Sequence, residues 1–532
     1  MMGSKERRFV PLERITLEQL VPQDHFYRQV ERTLDLSFVR ELVAPFYAAG
    51  GRPSVDPVVF FKLQLVMFFE RIHFERQLMR DAADRLSVRW YLGYDLGEAL
   101  PDHSSLTKIR ERYGLETFRR FFDAIVAQCQ AAGLVWGEEL YIDATKVVAN
   151  AAVDSVQPRF AVAAREHLED LFGLDAGAQG PQPVTAAGED PVPPRRIGPC
   201  AEEAPDLAAA NAARHDWIAA AGQQDRTPQE DRRYPRSSDF IVSTTDPDAT
   251  HLRQRDGVRL GYQDHYVVDG GKARIILQAL VASAEVSEDR PALDLFWRAR
   301  FRWGLWPRQA TGDKAYATFA LIRGLEEQGL HAYLPLPDLD KRSSLFGKSA
   351  FVYDPKTDTY TCPNKATLRY VRVNRSAHLY VYQAEAATCN ACPLKERCTA
   401  TPYGRTIARD YDEDYLDRVR AYQGTPSYRK AVRKRSVWVE PLFAEAKDWH
   451  GLRRFRLRRL WRVNSEALVI ATGQNLKRLL SWRGWGRRPW PSGAPGLRVG
   501  PSWQASGPVF AALWLLWTLL NAPVCLPECL VG

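Results

Sequence analysis

Apolar residues recur along this chain with two different periods, and the changes of period mark out its parts. From Arg52 to about Gly114 the spacing is helical. The run Pro57-Val-Val-Phe-Phe-Lys-Leu-Gln-Leu-Val-Met-Phe-Phe is apolar on nearly every side and predicts a buried helix. FERQLMRDAADRLSVRWYLG follows at helical spacing, and Asp102 or Ser104 can cap the next helix. Residues 115–135 predict one more amphipathic helix. Short helices with basic residues between them suit a helix-turn-helix-like DNA binder or a plain helical bundle equally. At Glu139-Leu-Tyr-Ile-Asp-Ala-Thr-Lys-Val-Val-Ala the period falls to two. Tyr141, Asp143 and Thr145 then share one face of a strand, and Leu140, Ile142 and Ala144 the other.

Residues 155–239 change character to Ala, Glu, Asp and Pro, as in a helical insertion with disordered stretches. Order resumes with Gly261-Tyr-Gln-Asp-His-Tyr-Val-Val-Asp, the turn Gly270-Gly271 and Arg274-Ile-Ile-Leu-Gln-Ala-Leu-Val-Ala-Ser, a β-hairpin signal. A helix (ALDLFWRARFRWG) and a short strand ending at Asp313 follow. Strands and helices thus alternate in a mixed α/β pattern. Residues 345–409 read as a β-rich module with cysteines, and 410–482 as helical and Arg-rich. Residues 483–532 look unlike everything before them.

The chain has 532 residues, too many for one ordinary domain. Its apolar fraction of 45% and charged fraction of 26% are those of a globular protein. The net charge of +9 suits a polyanionic partner. The charged start MMGSKERRFV has no signal-peptide core. The run Val509–Leu520 spans about 12 residues, short of the roughly 20 that a membrane span needs. The expectation is a cytoplasmic protein with no membrane partner. Cys129 reads as a core residue, and Cys525 and Cys529 fall in the atypical tail.

Three carboxylates stand out. Asp143 is a charge in an apolar strand, which is unfavourable unless it is paired or liganded. Asp313 ends a strand, where a turn or helix cap is the plainer reading. Glu440 precedes Pro441, which favours a helix start; Lys447, seven residues on, lies about two turns along the same helix. Carboxylates from separate elements are what two-metal phosphoryl transfer requires. Cys362, Cys389, Cys392 and Cys398 include one Cys-x2-Cys pair and could make a tetrahedral zinc site; reduced, unliganded thiols are the alternative. Arg453, Arg454, Arg456, Arg458, Arg459 and Arg462 crowd one segment, as DNA contacts or as a solvated basic face.

The runs Tyr-Ile-Asp143-Ala-Thr-Lys, Thr-Gly-Asp313-Lys-Ala-Tyr and Val-Glu440-Pro-Leu-Phe with Lys447 resemble, in order, the three catalytic blocks of DDE-type bacterial insertion-sequence transposases with an N-terminal helical domain. Arg52-Pro-Ser, Pro101-Asp-His-Ser-Ser-Leu, Thr245-Asp-Pro-Asp-Ala249, His265-Tyr-Val-Val-Asp269, Gly451-Leu-Arg-Arg-Phe-Arg-Leu-Arg and Gly473-Gln-Asn-Leu-Lys-Arg extend the resemblance over about residues 10–482. Arg435 and Tyr428 precede Glu440 at spacings that depart from the family pattern, and Ala315 stands where glycine is common.

The resemblance implies an α/β protein: an RNase H-like catalytic core with a mixed sheet, preceded by an all-α N-terminal domain. The expected division is 1–135 for the helical DNA-binding domain, 136–154 with 240–344 and 410–482 for the catalytic domain, 155–239 for an insertion, 345–409 for a cysteine-rich metal-binding insertion and 483–532 for the tail. It implies strand cleavage and strand transfer with two Mg2+ or Mn2+ ions held by Asp143, Asp313 and Glu440, and a structural Zn2+ on the cysteines. Double-stranded DNA, as terminal inverted repeats and target, would meet Lys447, Arg435, Arg453, Arg454, Arg456 and Arg458, with a homodimer on the DNA. A decayed or domesticated DNA-binding protein is the alternative. A carboxylate-pair glycosidase fits the basic charge, the cysteine module and Lys447 poorly.

Overall fold

A computed structural model describes residues 15–485 except 49, 51–53, 160–161, 163–240, 256, 338–339 and 341–343. Most of the 155–239 insertion, Arg52, the apolar run Val509–Leu520, Cys525 and Cys529 therefore lie outside the described residues. The described residues up to Trp485 form one compact unit.

The N-terminal part is helical: α1 (Leu17–Leu20), α2 (Phe26–Thr33), α3 (Phe38–Val43), α4 (Pro57–Glu70), α5 (Glu75–Asp84), α6 (Leu86–Leu92) and α7 (His103–Ala131). Local chemistry sets the ends. Asp56 caps α4 by accepting the Val58 N–H, with Pro57 at the first position, and Asp102 caps α7 by accepting the Ser104 N–H. Gly114 interrupts α7 with φ 63°, a conformation that only glycine takes readily. Phe60, Phe61, Phe118 and Phe121 are buried at the centre, with Phe61 stacked on Phe121 at 4.1 Å. That aromatic layer explains why α4 is apolar around its circumference.

The second layer is a six-stranded mixed sheet. Its strands are β1 (Glu139–Val148), β4 (Thr250–Gln254), β5 (Gly257–Asp269), β6 (Ile276–Ser283), β7 (Gln309–Thr311) and β8 (His331–Tyr333). The order is β4-β5-β1-β7-β8, with β6 also on β5. β5 runs antiparallel to β1 and to β6, whereas β1-β7 and β7-β8 are parallel. The expected hairpin is β5 and β6. Asp269 closes it: fully buried, it accepts N–H groups of Trp136, Gly137 and Gly271 at 3.0, 2.7 and 2.9 Å and so fixes where β1 starts. β2 (Val156–Pro158) and β3 (Ile241–Ser243) pair across the insertion and hold its two ends together.

α8 (Ala292–Arg302) and α9 (Phe319–Glu327) connect the later strands. A separate antiparallel sheet of five strands follows, β9 (Val352–Asp354), β10 (Thr359–Thr361), β11 (Thr367–Asn374), β12 (Leu379–Ala384) and β13 (Thr406–Asp410), with α10 (Ala386–Asn390) and α11 (Lys395–Cys398) on the β12–β13 connection that carries three of the cysteines. Then come α12 (Glu413–Gln423), α13 (Pro426–Trp438), α14 (Glu440–Trp449) and α15 (Leu460–Trp482).

α15 joins the two layers. It packs on α4, α7 and β6, and a Cβ at Gly473 would fall 2.4 Å from the Phe68 ring, so α15 and α4 meet where only glycine fits. On its other side, Asn475 and Asn464 hydrogen-bond the outer edge of β6. Each amide accepts one backbone N–H and donates to the same residue's carbonyl, Ile276 at 2.9 and 2.8 Å and Val281 at 2.8 and 2.9 Å. The two side chains replace a neighbouring strand, satisfying edge groups that would otherwise be buried unpaired. Among the described residues no helix is long and apolar enough to cross a membrane.

Asn475→Leu strands one buried N–H and one buried carbonyl. It is expected to lower unfolding free energy by about 2–4 kcal/mol, to be read from urea unfolding followed by circular dichroism; a loss within experimental error of zero contradicts the strand-replacement role.

Candidate active site

β1 and β7 are parallel neighbours, with Tyr141 beside Thr311. Two residues further along each path, Asp143 lies within β1 and Asp313 follows the end of β7, near enough for its charge to act on Asp143. Asp313 follows the strand and caps a short 3-10 helix, Lys314–Tyr316, by accepting the Ala315 N–H at 2.8 Å. Its plain role as a cap is thus real, and that cap fixes its position. Glu440 starts α14, with Pro441 behind it, where the chain bends at Val439 between α13 and α14. The Phe443 ring stacks on Tyr266 of β5 at 4.4 Å, which seats α14 on the sheet.

Asp143 senses the other two carboxylates. Burial pushes Asp143 from 3.8 up to about 6; Arg435 and the Ala144 N–H pull it down, and the charges of Asp313 and Glu440 push it up again. A fourth carboxylate belongs to the group. Glu288, in the loop between β6 and α8, is also raised by burial and then by Asp313 and Asp143. It was not anticipated from sequence, because it lies in a polar turn with no distinguishing pattern.

Arg435, near the end of α13, contacts two of the four. Its Nη1 donates to Asp143 Oδ2 at 2.6 Å and its Nη2 to Glu440 Oε1 at 3.5 Å. The residue whose spacing departs from the family pattern therefore sits at the centre of the site. Tyr428 does not: it is buried against Tyr333, ring centres 5.6 Å apart. Beneath the carboxylates, Tyr316 is fully buried with its hydroxyl 3.5 Å from His265 Nδ1. Burial takes His265 down to about 4, so its imidazole is neutral at physiological pH.

Lys447 is half-buried on α14. Burial and Arg453 lower its pKa, and the fully buried Asp264 of β5 opposes them. The arginine cluster is divided. Arg453 is largely exposed and pairs with Asp448, and Arg458 donates to the Asn150 carbonyl at 2.9 Å. Arg454 bonds the Asn150 side chain, while its backbone bridges to Val148 at the end of β1. Arg456 turns inward to Glu75 at 3.0 Å, beside the buried Arg110–Glu75 pair. Arg462 pairs with Glu111. Asp246 and Asp248 explain the Thr245-Asp-Pro-Asp run: they accept the N–H groups of Arg459 and Leu460 at 2.8 and 2.7 Å, capping α15 from a distant segment.

Among the described residues no group of three or more His, Cys, Asp or Glu side chains stands ready-made to hold a metal ion. At the carboxylates, a guanidinium holds one oxygen of each of two of them. The zinc expectation at Cys362, Cys389, Cys392 and Cys398 finds no support in this arrangement. Cys362, Cys389 and Cys398 pack against the core of the five-stranded sheet, and burial raises the Cys398 thiol. The sulfurs of two of them accept backbone N–H bonds, Ala366 to Cys362 at 3.2 Å and Arg405 to Cys389 at 3.5 Å.

Two families match the chain. One, "Transposase domain (DUF772)", matches residues 15–112, within the N-terminal helices; the other, "Transposase DDE domain", matches 361–480, which carries Arg435, Glu440, Lys447 and α15. Both matches are to transposase domains, and together they support a DDE-type transposase. No curated protein matches it. Among solved structures, the cryo-EM structure of the piggyBac transposase synaptic complex with hairpin DNA is similar at 9% identity and a TM-score of 0.31, covering 83% of this chain and 71% of that one. A likeness of that size adds nothing to the assignment.

Because the pKa of Asp143 is raised in the folded protein, its ionisation opposes folding. The stability it contributes is complete below about pH 4 and is lost as pH rises through about 6. Asp143→Asn is therefore expected to stabilise the protein at pH 8 by up to about 3 kcal/mol, since each tenfold change in the ionisation equilibrium is worth roughly 1.4 kcal/mol, and to give no gain near pH 4. Urea midpoints of both proteins across that range check the crossover.

Proposed function

We propose that this protein cleaves and joins DNA strands as the transposase of an insertion sequence, with Asp143, Asp313 and Glu440 as its catalytic carboxylates. The observation that carries this reading is the convergence of these three residues, from a strand, a strand end and a helix start, on one end of the mixed sheet. The strand order supports an RNase H-like core, with antiparallel β6-β5-β1 continued by parallel β1-β7-β8.

The donor set fits magnesium or manganese. All the oxygens are hard ligands, they come from separate elements, and their mutual repulsion leaves a field that favours a divalent cation. Bound ions would supply the charge neutralisation that lets water or a 3′-hydroxyl attack a phosphodiester. Asp143, seated on β1, and Asp313, fixed by its cap, set the rigid side of the site. Glu440 closes it from α14. Glu288 adds negative charge at the same place.

The exposed Arg453 and the neighbouring Arg454 and Arg458 lie near the end of β1 and are suited to hold DNA phosphates, with Lys447 on the helix that Glu440 starts. Arg456, bound to Glu75, instead fastens this segment to the N-terminal helices. Terminal inverted repeats and target DNA are the substrates in this reading, and pairing of two ends calls for at least two copies on the DNA.

With Mn2+ and DNA carrying the element's ends, the wild-type protein should nick at the ends, and Asp143→Ala, Asp313→Ala and Glu440→Ala should each reduce nicking by at least about 1000-fold. Activity surviving in Asp143→Ala removes that residue from the site. Arg453→Ala should leave the chemistry intact but reduce by about one the slope of log affinity against log salt.

A further inference from the structure

Arg435 makes two contacts that a bound cation would also need. Its fork reaches Asp143 Oδ2 on β1 at 2.6 Å and Glu440 Oε1 on α14 at 3.5 Å, and its side chain is only 17% exposed. A guanidinium can only donate, so each of these bonds takes a carboxylate lone pair. A divalent ion coordinates through the same lone pairs. The guanidinium charge on these two oxygens therefore opposes a second cation there and weakens its coordination.

We propose that Arg435 is an exchangeable counter-ion: it holds Asp143 and Glu440 together while no metal is bound, and its charge competes with divalent ions for them. The inference rests on the metal-dependent reading given above. Metal affinity of the DNA-free protein is then the outcome of an internal competition. The released guanidinium cannot lose its charge, and a DNA phosphate brought to the carboxylates would be a partner for it. DNA gives it a new partner, so DNA and metal should strengthen each other's binding, by reciprocal linkage.

The neighbouring Lys434 provides an internal control. It is one residue away on α13, but it pairs with Glu139 at 2.5 Å and lies over the rings of Trp136, Tyr141 and Trp438. Removing it takes away the same charge from the same helix and frees no oxygen of Asp143 or Glu440.

The test is calorimetric titration of Mn2+ into the full-length, DNA-free chain. Arg435→Gln should bind Mn2+ about tenfold more tightly than wild type, since an attraction that competes with the ion is removed. Arg435→Lys, whose single ammonium can hold one carboxylate well but not bridge both, should fall between them. Lys434→Gln should change affinity by less than about threefold. Added duplex DNA should tighten Mn2+ binding in wild type and do so markedly less in Arg435→Gln.

Equal or weaker Mn2+ binding by Arg435→Gln overturns the proposal, as does a gain in Lys434→Gln as large as that in Arg435→Gln. If Arg435→Gln does not fold, Arg435→Lys decides, and affinity at or below wild type overturns the idea. The double variant Asp143→Asn with Arg435→Gln separates the two levels. Mn2+ binding unchanged from Arg435→Gln would mean that the ions lie elsewhere, and the metal-dependent reading itself would fail.

Discussion

Arg435 and Asp143 are separated by 292 residues, and their ion pair sits where four carboxylates crowd one end of a sheet. Like charges at that spacing oppose folding, and burial strengthens the opposition. One guanidinium on two of the carboxylates offsets part of the repulsion. The rest of the fold is arranged so that this pair can form: β1 is fixed at its start by Asp269, Asp313 by its own cap, and α14 by the Phe443–Tyr266 stack. Each support is short-ranged and stiff, as a site of repelling groups requires.

The same stiffness extends to the helical layer through α15. Its two asparagines complete the edge of β6, its glycine allows α4 to approach, and two aspartates from the far side of the insertion cap its first turn. Polar residues buried in this way contribute direction as well as stability, because an amide matches a backbone edge only in one register. The helices matched to a transposase domain and the sheet that bears Asp143 are therefore parts of one compact unit. The basic segment after α14 bridges them, with Arg456 and Arg462 tied to Glu75 and Glu111 on the helical side and Arg454 and Arg458 tied to Asn150 beyond β1.

Much of this architecture was legible in the sequence wherever it depends on near neighbours. Alternation over Glu139–Val148 gave the strand and placed Asp143 on a face. The Pro57 and Asp102 signals gave helix starts, and Gly270-Gly271 gave the hairpin. The cysteine-bearing β module was recognisable from β-rich composition, but the zinc expected there was not supported, since no ready-made metal group stands there among the described residues. Local patterns carry such information because capping and strand alternation are set by residues within a turn or two.

By itself, then, the sequence determined the secondary elements, the three ordered carboxylate blocks and the basic character of the last helical region. Tertiary structure alone decided which charges meet. It brought Glu288 into the carboxylate group, moved Arg435 from an unexpected register to the centre of the site, buried Tyr428 against Tyr333 and turned Arg456 inward to Glu75. Electrostatic partners are chosen by distance and burial between segments hundreds of residues apart, and no local period records that choice.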